Sequence, residues 1–246
     1  EFAAGILAGS AARMADAVQV RFMMANTPDE KFGSAPVVGV LLAGGQSRRM
    51  FASGAGQGDK GLLEIAGKPM IGHVIDRLSP QVSALVINAN GDPERFAAFA
   101  LPLVADTVGG HVGPLAGVLA GMRWAAVNVP RAQFIATVST DAPFLPTELV
   151  KRLVAALAGA KGGEQIALAR SGGHLHPVIG LWPVALADDL ESSLHDGVRK
   201  VLAWTDRHGT LSVDFAPVSR GGQEVDPFFN ANTPDELDEA RRLLVS

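Results

Sequence analysis

The chain has 246 residues, of which 48% are hydrophobic and 19% are charged, and its formal net charge is −4. This length can bury one sizeable core. The net negative charge argues against a general basic surface for nucleic acid. The chain contains no cysteine, which excludes disulfides, a thiolate zinc site and a cysteine nucleophile and fits a cytoplasmic protein. No apolar run reaches the roughly 18 residues of a membrane span, so we expect no membrane contact.

Residues 1–36 differ in composition from the rest of the chain. The first residue is Glu1 rather than Met, and an alanine-rich stretch covers residues 3–24. We interpret residues 1–36 as an N-terminal extension, or as a segment added for expression, that is poorly ordered. Residues 37–246 are expected to form a single domain.

From residue 37 onwards, short apolar runs typical of buried strands alternate with segments that have apolar residues at helical spacing. Strands are predicted at 37–42, 84–88, 103–105, 133–139, 166–169, 177–181 and 211–215. Helices are predicted at 69–78, 113–126, 146–157 and 198–204, and after the capping box Thr233-Pro234-Asp235-Glu236. This alternation predicts a mostly parallel sheet with helices on both faces.

A phosphate-binding motif follows the first predicted strand. The small-residue turn Leu42-Ala43-Gly44-Gly45 leads to Arg48 and Arg49, and Asp59-Lys60-Gly61 follows further along the chain. Glycines let backbone N–H groups approach a ligand, and such groups accept anions. The arginines and the lysine add the positive charge that a polyphosphate requires.

Polar residues also follow three other predicted strands, namely Asn88, Asp106 and Asp141. Ligands of open parallel sheets bind outside the carboxyl ends of the strands. For each of these residues alone, a role as a turn residue or helix cap explains the pattern about as well as a role in binding. Together, and beside the arginine and lysine motif, they favour a magnesium–nucleotide site in which Asp141 and Asp106 hold the ion.

These motifs resemble the signature of the molybdenum cofactor guanylyltransferases, which is approximately Leu-Ala-Gly-Gly-x-Ser-x-Arg-Met-Gly followed by Asp-Lys. The pattern stands here at residues 42–50 and at Asp59-Lys60, with a longer loop between them. The resemblance covers about residues 36–246. It implies a three-layer α/β/α Rossmann-like nucleotidyltransferase fold. It also implies an Mg²⁺-dependent enzyme that transfers GMP from GTP to molybdopterin and releases pyrophosphate. We expect residues 37–145 to form the nucleotide-binding half and residues 146–246 the molybdopterin side.

The motif and the resemblance together indicate the site residues. The expected catalytic residues are Arg49, Lys60 and Asp141. The expected nucleotide-binding residues are Leu42, Ala43, Gly44, Gly45, Lys60, Asn88, Asp106 and Asp141. The residues expected on the molybdopterin side are His176, Asn230 and Asn232. For these last three, a structural role explains the pattern about as well as a contact with substrate.

Two other interpretations remain open. A related enzyme with another substrate is the first: a CTP-dependent molybdopterin cytidylyltransferase or a sugar-phosphate nucleotidyltransferase. The turn Leu42-Ala43-Gly44-Gly45 favours GTP as the substrate, because the cytidine-type enzymes have a sequence resembling Leu-Ala-Ala-Gly at this turn. The second is a non-catalytic nucleotide- or cofactor-binding protein, against which the presence of both Lys60 and Asp141 argues. The resemblance also implies transient contacts with cofactor-delivery proteins or molybdoenzymes.

Overall fold

The structure, a computed structural model, describes residues 35–44, 58–109, 113–160 and 165–245. The strands in this part of the chain are β1 (Val37–Leu42), β2 (Glu64–Ile65), β3 (Lys68–Pro69), β4 (Ala84–Asn88), β5 (Leu103–Val104), β6 (Phe134–Ser139), β7 (Ile166–Ser171), β8 (His174–Pro183), β9 (Thr210–Asp214), β10 (Val218–Arg220) and β11 (Gln223–Val225). The α-helices are α1 (Met70–Leu78), α2 (Pro114–Asn128), α3 (Leu149–Ala158), α4 (Ala187–His195), α5 (Val201–Thr205) and α6 (Pro234–Val245). Short 3₁₀ helices cover Lys60–Leu62, Ser79–Gln81, Pro93–Phe99 and Val184–Leu186.

A seven-stranded sheet in the order β5-β4-β1-β6-β8-β7-β9 forms the centre of the fold. Strand β1 pairs in parallel with both β4 and β6, and β5 and β9 also pair in parallel with their neighbours. Only β8 is antiparallel to the strands beside it within this sheet. The predicted mostly parallel sheet is therefore confirmed.

Helices cover both faces of the sheet. Alternate residues of β1 point to opposite faces, so that Val37 and Leu41 belong to one core cluster and Val38 and Val40 to the other. Helices α1 and α3 pack on the first face, and α2, α4 and α5 pack on the second. The predicted three-layer architecture is confirmed. In the described ranges, no helix combines the length and the apolar character that crossing a bilayer requires.

Some helices and strands differ from the sequence prediction, in part because contacts between residues distant in the chain determine where an element begins. Helix α3 begins at Leu149 rather than at residue 146, and the Gln81 side chain accepts a hydrogen bond from the N–H of Val150 at 3.0 Å. Helix α4 was not predicted, although the acidic residues Asp188 and Asp189 in its first turn are a recognisable start signal. The hairpins β2–β3 and β10–β11 were also missed, because their strands have only two or three residues.

The topology places the ends of β1, β4, β5 and β6 at one edge of the sheet, called here the carboxyl rim. From β1 the sheet continues on one side to β4 and on the other side to β6. Such a reversal of strand order opens a crevice at the rim. Of the N-terminal extension expected over residues 1–36, only residues 35 and 36 lie within the described ranges.

Candidate active site

A cleft of about 110 Å³ opens at the carboxyl rim between β1 and β6. Its lining residues are Leu42, Ala43, Asp59, Lys60, Gly61, Ser139, Thr140 and Asp141. The turn after β1 forms one wall, and the N–H of Ala43 donates a hydrogen bond of 2.8 Å to the carbonyl oxygen of Asn88. Gly44 is exposed, and among the described residues no atom would lie within 4 Å of a Cβ built on it. The turn therefore presents the backbone of Gly44 to solvent.

Lys60 and Asp141 form an ion pair inside this cleft. The side chain of Asp141 is only 3% exposed, and that of Lys60 is 20% exposed. The hydroxyl group of Ser139 donates to the other carboxylate oxygen of Asp141. The Nζ of Lys60 also donates a hydrogen bond of 2.5 Å to Oδ1 of Asn232. One ammonium group thus contacts a residue expected at the nucleotide and a residue expected at molybdopterin.

Close packing explains why glycine follows Lys60. Gly61 is buried against the loop after β6, and a Cβ added to it would lie 2.7 Å from Oγ1 of Thr140. That separation is too short for a carbon atom, so a larger residue would push the turn that carries Lys60 away from Asp141. Glycine is therefore required at position 61, because the turn that carries Lys60 lies directly against the loop after β6.

A second group at the rim is built around Asp106. The side-chain amides of Asn88 and Asn90 donate to its two carboxylate oxygens at 3.0 and 2.7 Å, respectively. Oδ1 of Asn90 accepts the backbone N–H of Asp106 at 2.9 Å. Asn88 is buried and its amide also donates to the carbonyl oxygen of Val104 at 3.2 Å. These bonds fix the orientation of the Asp106 carboxylate and use both amide hydrogens of Asn88.

The segment that carries Asn230 and Asn232 is held between α6 and β6. Oε2 of Glu236 accepts the N–H groups of Asn232 and Thr233 at 2.8 and 2.9 Å, and Oγ1 of Thr233 accepts the N–H of Glu236 at 3.3 Å. This is the capping box predicted from the sequence. On the other side, the N–H of Ala231 donates to the carbonyl oxygen of Asp141 at 3.3 Å. The capping box therefore presents Asn232 to Lys60.

His176 belongs to a third group, with two residues that the sequence did not single out. Its Nε2 lies 2.7 Å from Oγ of Ser171, and that Oγ lies 2.7 and 2.8 Å from the two carboxylate oxygens of Asp226. A carboxylate only accepts, so the Ser171 hydroxyl donates to Asp226 and Nε2 of His176 donates to Ser171. The His176 ring packs against Phe228 with a centroid distance of 4.7 Å. This group fastens the β7–β8 hairpin to the segment that precedes Asn230.

Burial determines the charge of His176. Loss of solvent lowers the pKa of this imidazole, the nearby Asp226 carboxylate acts in the opposite direction, and His174 lowers the pKa further. The imidazole is therefore neutral near pH 7, with its hydrogen on Nε2.

The structure brings most of the predicted site residues to the carboxyl rim. Leu42, Ala43, Lys60 and Asp141 line one cleft, and Asn232 contacts Lys60. Asn88 and Asp106 form the neighbouring group at the ends of β4 and β5. Gly45 and Arg49 lie outside the described residues. Within the described part of the chain, no group of three or more His, Asp or Glu side chains is arranged to hold a metal ion.

Sequence comparisons with known proteins identify the family of this chain. A family model described as "MobA-like NTP transferase domain" matches residues 39–210. A molybdenum cofactor guanylyltransferase of Bradyrhizobium sp. (strain ORS 278) is 51% identical over 208 residues, which cover 84% of this chain and 92% of the relative.

Solved structures share the fold. The molybdopterin-guanine dinucleotide biosynthesis protein A of Archaeoglobus fulgidus superimposes with a TM-score of 0.60 at 22% identity, covering 85% of this chain and 98% of its own. The manganese complex of Rv0371C from Mycobacterium tuberculosis H37Rv has a TM-score of 0.55 at 19% identity, covering 87% of this chain and 100% of its own. These two likenesses support the fold, and the family match with the high identity to the bacterial relative establishes that this chain belongs to the MobA-like NTP transferase family.

Proposed function

We propose that this protein transfers GMP from GTP to molybdopterin, forming the guanine dinucleotide cofactor and pyrophosphate. Family membership and the name of the Bradyrhizobium relative support this activity. The structural observation that carries the proposal is the ammonium group of Lys60. It contacts Asp141, which we assign to the nucleotide side, and Asn232, which we assign to the acceptor side.

In the proposed reaction, a phosphate oxygen of molybdopterin attacks the α-phosphorus of GTP. The new phosphorus–oxygen bond forms while the bond from the α-phosphorus to the oxygen bridging to the β-phosphate breaks, and pyrophosphate leaves with that oxygen. A phosphate monoester is largely ionised near neutral pH, so the acceptor needs no protein base. The protein has to align the two substrates and neutralise the phosphate charge.

The turn after β1 and Lys60 are the groups proposed to bind the triphosphate. The N–H of Ala43 already donates to Asn88, so we assign the N–H of the exposed Gly44 to the phosphates. Lys60 lies in the same cleft and supplies a positive charge. Arg49 is proposed to add a second cation, in keeping with its place in the motif.

Asp141 and Asp106 are the groups proposed to hold Mg²⁺. Asp141 fits this role because it presents hard carboxylate oxygens at the end of β6, beside the Lys60 cation. Asp106 presents a carboxylate whose orientation is set by Asn88 and Asn90, so we assign Asn88 a role in orienting it. Mg²⁺ held by these carboxylates would neutralise part of the triphosphate charge, and Lys60 would supply a second positive charge beside it.

The acceptor side is proposed to include Asn230, Asn232 and His176. The segment 226–232 and the start of β8 form a connected wall, because Ser171 joins His176 to Asp226. Amides and a neutral imidazole offer both donors and acceptors, which suits a pterin. We also propose that the protein acts in the cytoplasm, which the lack of cysteine fits. Transient contacts with cofactor-delivery proteins or molybdoenzymes are a further part of the proposal.

Calorimetric titration of GTP, CTP and ATP with Mg²⁺, followed by product analysis after addition of molybdopterin, tests this function. We expect selective binding of GTP, and pyrophosphate release only when molybdopterin is also present. Preference for CTP with formation of a cytosine dinucleotide would retain the fold and chemistry and refute the guanine assignment. No pyrophosphate release with any nucleotide in the presence of molybdopterin would contradict the enzymatic function.

A further inference from the structure

Asp59 stands directly before Lys60 in the motif and lines the same cleft. It occupies the N-cap position of the 3₁₀ turn Lys60–Leu62, yet its side chain makes no capping hydrogen bond there. Its carboxylate instead pairs with the guanidinium group of Arg95, and the Asp59 side chain is only 14% exposed. The turn that carries Lys60 is therefore attached to a distant part of the chain.

Arg95 uses three of its donor groups for three different partners. Nη1 pairs with Asp59, Nη2 donates a hydrogen bond of 2.6 Å to the carbonyl oxygen of Asn90, and Nε donates one of 2.9 Å to the carbonyl oxygen of Asp92. The planar guanidinium presents its donors in fixed directions, which a lysine cannot reproduce. Next to it, Phe96 is 1% exposed and anchors the 3₁₀ helix in the core.

The partner Asn90 extends this connection to the second group at the rim. While its carbonyl oxygen accepts from Arg95, its side chain donates to the carboxylate of Asp106 and accepts the N–H of Asp106. One guanidinium group thus connects the turn that bears Lys60 with the loop that orients Asp106. Lys60 and Asp106 are both assigned to the proposed triphosphate and Mg²⁺ site.

We propose that Arg95 is a positioning residue that acts through Asp59 to place Lys60 for the nucleoside triphosphate. This inference rests on the proposed function, in which Lys60 binds the phosphates. Gly61 fixes one side of the turn against Thr140, and the Asp59–Arg95 pair fixes the other side. The Arg95 side chain is 33% exposed, and an ion pair whose cation reaches solvent adds little to folding stability. The benefit of the pair is therefore expected in substrate binding and turnover.

The substitution Arg95→Lys tests the inference, because it keeps the charge and removes the three-way geometry. We expect triphosphate affinity and kcat/KM to fall by about tenfold, since small displacements at a reacting centre have large effects. The melting temperature should stay close to that of the wild type. Arg123→Lys is the matched control: the Arg123 side chain is 37% exposed against 33% for Arg95, and it pairs with Asp188 and Glu191 away from the rim. The control should leave both binding and turnover unchanged.

The Lys60→Ala background separates positioning from a general structural effect. If Arg95 acts through Lys60, Arg95→Lys causes no further loss of triphosphate affinity in a protein that already lacks the lysine. An equal loss in both backgrounds, a loss that follows the melting temperature, or wild-type behaviour of Arg95→Lys would overturn the inference.

The same titrations separate this inference from the proposed function. If the wild type prefers CTP and Arg95→Lys weakens CTP binding, the guanine assignment fails and the role of Arg95 stands. If the wild type binds no triphosphate, both fail.

Discussion

Lys60 is the residue on which the two sides of the proposed reaction converge. Its Nζ pairs with the buried carboxylate of Asp141 and donates to the amide oxygen of Asn232. A carboxylate with 3% exposure requires a compensating partner, and here that partner is the cation proposed to bind phosphate. The charges of Lys60 and Asp141 at the centre of the site thus compensate each other.

The buried imidazole of His176 predicts that the folding stability depends on pH. Burial lowers the pKa of this histidine below its unfolded value. The unfolded chain therefore binds more protons, so stability is present above the unfolded pKa, near 6.5, and is lost as the pH falls below it. We predict that the stability of the wild type relative to His176→Gln decreases when the pH is lowered from about 8 to about 5.

Urea unfolding of both proteins across this range measures the effect. Subtraction of the variant curve removes the contributions of the other titrating groups. A difference that stays constant, or that grows at low pH, would show that the fold does not disfavour the imidazolium form of His176.

At the scale of elements, helix α2 packs closely against the strand ends that form the site. A Cβ added to Gly117 would lie 2.3 Å from Oδ1 of Asn88 and 2.8 Å from Cδ2 of Leu42. The helix can approach β1 and β4 this closely only because it has glycine at this position. The packing of α2 therefore fixes Asn88, and Asn88 in turn orients Asp106.

The substitution Gly117→Ala tests this packing. Despite the better helix propensity of alanine, we expect a loss of about 1–3 kcal/mol in the free energy of unfolding, because the added methyl group overpacks the contact. We also expect weaker binding of Mg²⁺–GTP, since Asn88 must move. Chemical unfolding and calorimetry measure the two effects.

Gly159→Ala provides the control at the end of α3, where a Cβ would be 3.5 Å from its nearest neighbour, an ordinary contact. That variant should retain wild-type stability within about 0.5 kcal/mol. If Gly117→Ala were equally harmless, the close approach of α2 would have no influence on the site.

On the scale of the whole molecule, the sequence predicts the central sheet and the positions of the polar residues at its rim. Buried strands such as β1 and β4 carry a strong local signal, and Asn88 and Asp141 follow directly from the strand ends. These features are local in the chain, which is why they are predictable.

The residues that sequence reasoning missed act across long separations. Arg95 pairs with Asp59 over 36 positions, and Ser171 contacts Asp226 over 55 positions. Neither pair has a spacing that predicts a contact, because the partners lie in different elements that only the folded chain brings together. The supporting contacts of the site thus arise from the tertiary structure, whereas the motif residues can be identified from the chain alone.

Pyrophosphate release by the wild type and by Asp141→Asn, with GTP, molybdopterin and Mg²⁺ present, tests the proposed catalytic centre most directly. We predict that the variant loses at least about a hundredfold in turnover, the scale of removing one electrostatic contact to a transition state. Its GTP affinity, measured in parallel, should fall much less than its turnover. Asp214→Asn, which alters an exposed carboxylate paired with Arg170, should behave like the wild type. Normal turnover by Asp141→Asn would show that Asp141 and Lys60 do not form the catalytic centre.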